Sequence, residues 1–204
     1  MKKLMIAAAI VCAAAFAQAS TANWGSGLVY IPAADGTIGY MDGSTWKWND
    51  RMTSSSGYTL EMFAWESTSA LSYEAGDLYK WYADGKSSDA DPFGGKLQAI
   101  NGTVNMNANT TQATATGKLV FDEGATGYGA VLFVLTDADG DKLYMENDAS
   151  VVAAKSAKTV TNLSQREGGS STGTPMVWQS VPEPTSGLLL LLGVAGLALR
   201  RRRA

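Results

Sequence analysis

The chain contains no histidine and a single cysteine, Cys12. That scarcity removes most familiar catalytic constellations at once. A Ser-His-Asp triad, a Cys-His pair and a histidine-containing zinc site each need a residue this chain lacks or carries only near its start. No glycine-rich loop follows a strand and opens a helix, so a nucleotide phosphate has no cradle. Charge is sparse too, at 17% of residues. Acidic groups are numerous enough for a carboxylate-pair hydrolase, but no spacing singles out a pair. The chain therefore reads as non-catalytic, with no cofactor.

The N-terminus explains the cysteine. Lys2 and Lys3 precede an apolar run from Leu4 to Phe16, and Ala17-Gln18-Ala19 follows. A basic start, a short apolar centre and an A-x-A site describe a secretory signal peptide over residues 1–19. Signal peptidase is expected to read Ala17 and Ala19 and cut before Ser20. Ala9-Ile10-Val11 ahead of Cys12 does not make a lipoprotein box. The cysteine leaves with the leader, so the exported chain holds no disulfide and its stability rests on packing. Residues 20–181 carry 18 acidic against 10 basic residues, a net charge of −8. Such a surface suits neither nucleic acid nor anionic lipid. About 160 residues suffice for one domain with its own core.

At the other end, Pro182-Glu183-Pro184 is followed by an uncharged run from Leu188 to Leu199 and then by Arg200, Arg201, Arg202 and Arg203. As a helix that run would span about 18 Å, against a hydrocarbon core of roughly 30 Å. Extension to Gly187 and snorkelling of the arginines make a transmembrane segment over 187–199 the expectation. The arginines read as a cytoplasmic stop signal. No Lys or Arg lies between Glu167 and Leu199. Both basic ends favour the cytoplasmic side, which leaves the body outside and the precursor as a hairpin across the inner membrane.

This three-part tail resembles the PEP-CTERM protein-sorting signal of Gram-negative bacteria, and the resemblance covers residues 181–204 only. It implies that an exosortase-like membrane protease recognises Pro182, Glu183 and Pro184 and processes the chain. It also implies delivery to the cell surface or extracellular matrix, often in systems that make extracellular polysaccharide.

The body, residues 20–180, reads as mainly β. Strand-like runs cover Trp24–Ile31, Thr45–Trp48, Tyr58–Trp65, Leu97–Met106 and Lys118–Phe121, with turn signals at Asp35-Gly36 and Asp42-Gly43. Tyr128–Thr136 is nearly unbroken in its apolar character, as a strand buried on both faces would be. Asp139-Gly140 then predicts a hairpin into Lys142–Met145, with a further strand near Val151–Ala154. Asp77–Ala83 predicts a two-turn helix, with Asp77 as its cap and Leu78, Trp81 and Tyr82 at helical spacing. Asn105–Thr116 reads as a loop or exposed edge. Residues 168–175 form a flexible Gly/Ser stretch, either a stalk or a loop before a last strand at Met176–Gln179. The expected architecture is a single β-sandwich domain with one short helix, a jelly-roll-like arrangement being the variant.

Two clusters invite a functional reading. Asp137, Asp139 and Asp141, near Glu146 and Asp148, offer hard oxygen ligands for weak calcium binding. Gly140 sits at the fourth position of that run, not the sixth as in an EF-hand, and a solvated hairpin turn accounts equally for the composition. Trp46 and Trp48, two apart, share one strand face about 6.8 Å apart. They either stack on sugar rings or pack the core, as large aromatics usually do. The same alternatives apply to Tyr79, Trp81 and Tyr82. The reading is an exported, non-catalytic surface or matrix protein, the alternative a secreted carbohydrate-binding module delivered by the same signal.

Overall fold

The computed structural model describes residues 20–153, 158–161 and 177–181. The expected leader, the Gly/Ser stretch at 168–175 and the tail from Pro182 onward lie outside them. In chain order the elements are β1 (Ser20–Gly25), β2 (Gly39–Asp42), β3 (Thr45–Trp48), β4 (Thr59–Ser67) and α1 (Asp77–Ala83). They continue as β5 (Ile100–Asn101), β6 (Thr103–Met106), β7 (Thr111–Phe121), β8 (Thr126–Thr136), β9 (Lys142–Val152), β10 (Lys158–Thr161) and β11 (Gln179–Ser180). One sheet runs β10-β1-β7-β6 and the other β11-β9-β8-β4-β5, while β2 and β3 pair on their own. The protein is thus mainly β with one short α-helix, and the two larger sheets face each other across a shared core.

Strand β8 explains the layering. Val131, Phe133 and Leu135 point into the core between the sheets, packed with Leu60, Met62 and Ala64 of β4 and Met145 of β9. Ala130, Leu132 and Val134 alternate to the opposite face, where Phe63, Trp65, Leu78 and Trp81 cover them. Helix α1 and the segment around Phe93 therefore form a third layer, which is why β8 has no polar face. The rings there meet edge to face: Trp65 and Trp81 lie 4.9 Å apart at 77°, and Phe63 and Trp81 5.4 Å apart at 76°. Trp24 of β1 crosses the inter-sheet core, fully buried. Gly129 makes room for it, since a Cβ there would stand 2.7 Å from the Trp24 ring.

The β8–β9 hairpin forms as the sequence predicts, in register from Thr126↔Val152 to Thr136↔Lys142. Gly140, at φ 92°, supplies the left-handed backbone of the loop. Several details differ from the sequence reading. Val151 belongs to the end of β9 and not to a separate strand, because Glu146–Ser150 continues the ladder. Strand β1 is shifted toward Ser20, and Tyr30 makes only an isolated bridge to Arg51. The Asn/Thr/Ala tract is only partly the loop or edge expected: β6 is an edge strand ending at Met106, residues 107–110 turn, and β7 runs on from Thr111 flanked by β1 and β6. Thr111, Ala113, Ala115 and Gly117 turn inward while polar neighbours face solvent. The alternation is regular, but its inward members are too small to register as a hydrophobic pattern.

A buried carboxyl crosses between the sheets. Glu66 is 6% exposed and lies on the same face of β4 as Leu60, Met62 and Ala64. Its Oε2 accepts from Trp24 Nε1 at 3.1 Å. Its Oε1 accepts from the backbone N–H groups of Lys118 and Leu119 in β7. One side chain thus ties β4 to β1 and β7, satisfying the buried Trp24 indole and two part-buried β7 amides.

The C-terminal strap completes the core. Val177 bridges Thr37, and Trp178, 2% exposed, inserts among the inter-sheet residues while its N–H donates to Gly36 O at 2.8 Å. Gln179 and Ser180 then pair with Tyr144 and Leu143 on the outer edge of β9. The last strand expected at Met176–Gln179 is therefore present but begins later.

Candidate functional site

The β2–β3 hairpin stands apart from both sheets and carries the least buried aromatics. Its register, Gly39↔Trp48 and Met41↔Trp46, places Trp46 and Trp48 on one face with Met41. Neither tryptophan belongs to the buried core, which corrects the packing alternative for this pair. Trp48 is 36% exposed and Tyr40 58%. One ring face of Trp48 stacks on Tyr30, centroids 4.9 Å apart at 14°, and Trp46 meets Trp48 edge-on at 5.6 Å. Tyr30 is itself buried, so it forms a fixed floor beneath Trp48.

The floor is held by the following residue. Asn49 Nδ2 donates to the carbonyls of Ile31 and Thr37, each at 2.9 Å, and Ile31 N–H donates to Asp50 O at 2.8 Å. These bonds lock the hairpin to the Ile31–Thr37 loop. Asp35 closes that loop; its carboxyl accepts from the Thr37 hydroxyl and N–H, and the hydroxyl bond chiefly holds its pKa below the usual value. Between loop and hairpin lies an open crevice of about 410 Å³, lined by Pro32, Ala33, Tyr40, Trp48, Asn49 and Asp50.

A second crevice, of about 570 Å³, shares Pro32 and Ala33 with the first and is lined by Tyr58, Tyr79, Asp137, Asp141, Lys142 and Val181 among others. The acidic run forms its rim. Asp137 Oδ1 accepts from the N–H groups of Asp139 and Asp141, both at 2.9 Å, so this side chain organises its own loop. Among the described residues no three acidic side chains converge on a point where a metal ion would sit. Lys142 Nζ donates to Thr136 Oγ1 at 3.1 Å and lies 5.6 Å from the Tyr82 ring centroid.

Of the other aromatics singled out, Trp81 is buried, whereas Tyr79 and Tyr82 are half-buried at the edge of the third layer. Tyr79 stacks on Tyr144 at 4.5 Å. Tyr82 donates its hydroxyl to Glu61, and burial leads that bond in raising its pKa. Helix α1 is capped differently from the sequence expectation. Its N-cap is Gly76 in the left-handed region, and Asp77 is the first helical residue. The orphan N–H groups go to Glu146 of β9, whose Oε2 accepts from Gly76 and Oε1 from Tyr79, each at 2.7 Å.

Glu146 carries a testable pH signature. Desolvation raises its pKa above the ordinary carboxyl value, against the lowering effect of the backbone bonds. A carboxyl whose folded pKa is raised adds stability at low pH and loses it as pH climbs through the folded value. Relative to Glu146→Gln, the wild type is therefore expected to lose stability as pH rises through the window just above the ordinary carboxyl value. Urea midpoints of both proteins between pH 4 and 7 measure it; parallel profiles would refute the assignment.

The sorting residues Pro182, Glu183 and Pro184, the arginines 200–203 and the cleavage residues Ala17 and Ala19 lie outside the described residues. Among the described residues no helix is long and apolar enough to cross a membrane. Sequence reasoning did not single out Tyr30, Tyr40, Asp50 or Glu66, and it named Glu146 only beside the acidic run, not as the cap of α1. The parity of Glu66 with Leu60, Met62 and Ala64 was the one signal available.

Comparison with known proteins places a family model, the PEP-CTERM protein-sorting motif, on residues 180–203. No curated protein and no solved structure matches the chain.

Proposed function

From a chain that carries a PEP-CTERM protein-sorting motif, a signal that implies export and exosortase-dependent sorting, we propose an exported, non-catalytic protein of the cell surface or extracellular matrix. The motif match over residues 180–203 carries this reading. The charge arrangement supports it, since lysines at one end and arginines at the other both favour the cytoplasmic side. An exosortase-like protease of the inner membrane acts on Pro182-Glu183-Pro184, and signal peptidase on Ala17-Gln18-Ala19. Mass spectrometry of both ends of the cell-surface form is expected to find Ser20 first and a C-terminus short of Arg200. A surface form that keeps Lys2 or Arg203 would refute the two-cut scheme.

A second reading, a carbohydrate-binding module delivered by the same signal, is favoured by one observation. Trp48 rests one ring face on Tyr30 and remains 36% exposed beside an open crevice. Tyr40 and Met41 on the same hairpin are exposed as well, at 58% and 57%, so the apolar surface there is clustered and not scattered.

A further inference from the structure

We infer that the two crevices sharing Pro32 and Ala33 form one track for an uncharged glycan chain, with Trp48 as its stacking end and Tyr40, from the other face of the hairpin, lining the same crevice; the inference rests on the carbohydrate-binding reading. Both crevices are lined by Pro32 and Ala33, so a chain extending from the Trp48 side into the Tyr58 and Tyr79 side would pass over these two residues. Pyranose rings present a flat face of C–H bonds, which matches the electron-rich face of an indole or phenol. Tyr30 beneath Trp48 and the Asn49 bonds fix that ring before any ligand arrives, so little ordering entropy is lost on stacking.

The polar groups along the track suit hydroxyls. Asp50 on one side and Asp141 on the other offer carboxylate acceptors, and Lys142 offers a donor. Asp50, Asp137 and Asp141 outnumber that single cation, in a body already at net −8 over residues 20–181. A polyuronate would meet like charge along this lining. The occupant is therefore a neutral sugar polymer.

The test uses the exported protein isolated from the cell surface, titrated by calorimetry with neutral hexasaccharides (cellohexaose, mannohexaose, xylohexaose) and with hexagalacturonate. The expected result is saturable binding of at least one neutral hexasaccharide and none of the uronate. Trp48→Ala should weaken binding at least tenfold, and Tyr40→Ala severalfold. Tyr40 is 58% exposed, so its truncation reports on binding without touching the core. Neutral binding that survives both substitutions overturns this site but leaves the carbohydrate reading standing. Failure of every hexasaccharide overturns both, and preference for the uronate overturns the charge argument.

Discussion

A chain in which Pro182, Glu183 and Pro184 are all alanine is expected to be exported, to remain uncut in the inner membrane and to be lost from the cell surface. The reason lies in the backbone before the apolar run. Each proline fixes φ and removes an N–H, and each biases its preceding residue away from helical geometry. Both prolines disfavour a helix over 182–184, and an extended segment is the form a protease threads through its site. Alanine reverses this, since it is favoured over proline in a helix interior by about 3 kcal/mol per residue. A helix nucleated in the leucine run would then propagate up through 182–184 and withdraw the cleavage region. Glu183 is also the only charge between Glu167 and Arg200. Membrane entry should survive, because the seven leucines of Leu188–Leu199 each favour insertion by roughly 0.3–0.6 kcal/mol. Deleting Arg200–Arg203 should do the opposite, removing the stop and releasing an uncut chain outside. Fractionation with mass spectrometry of the C-terminus distinguishes the cases. Normal maturation of the triple-alanine chain would remove the motif as the recognition element.

Glu66→Ala is expected to destabilise the exported body by roughly 3–5 kcal/mol, with a fall in Tm of about 10 °C. Alanine leaves the buried Trp24 indole N–H without a partner, strips the part-buried N–H groups of Lys118 and Leu119 of theirs, and opens a cavity where the buried side chain stood. A buried donor without a partner costs about 1–3 kcal/mol, and partial relaxation keeps the total below the full sum. Glu66→Gln should recover part of the loss, since its carbonyl oxygen still accepts the two β7 donors while its NH₂ opposes the indole. Calorimetry of the three proteins measures the series. A Glu66→Ala melt within about 2 °C of wild type would show that the carboxyl ties nothing together.

What could be read from the sequence follows from how each signal is encoded. The β8–β9 hairpin announced itself because Tyr128–Thr136 has no polar alternation and Asp139-Gly140 follows it directly. Helix α1 was legible from Leu78 and Trp81, since both bury the same face. Strand β7 was legible only at its Lys118–Phe121 end; its first half escaped because the inward residues there are Thr, Ala and Gly, whose hydrophobicity is too small to reveal a period of two. Glu66 escaped because a glutamate in a strand is ordinarily a solvent residue. Trp46 and Trp48 show a different limit. Their spacing establishes that they share a face, but only the isolation of the β2–β3 hairpin from both sheets decides that the face is left partly open. The cap on α1 comes from Glu146, some seventy positions away in the chain, beyond the reach of any local rule.

The burial of Trp178 fixes the length of the body's leash. From Val181 to Leu188 there are seven residue steps, at most about 25 Å of extended chain. If the 187–199 segment enters the bilayer as the proposed function requires, the body of the precursor stays within that distance of the lipid. The crevice bordered by Val181, Asp141 and Lys142 lies at the tethered end of the body. The same geometry sets a boundary for the cut. Cleavage anywhere beyond Val181 leaves Trp178 seated in the core, whereas cleavage before Val177 would pull out one of its largest side chains.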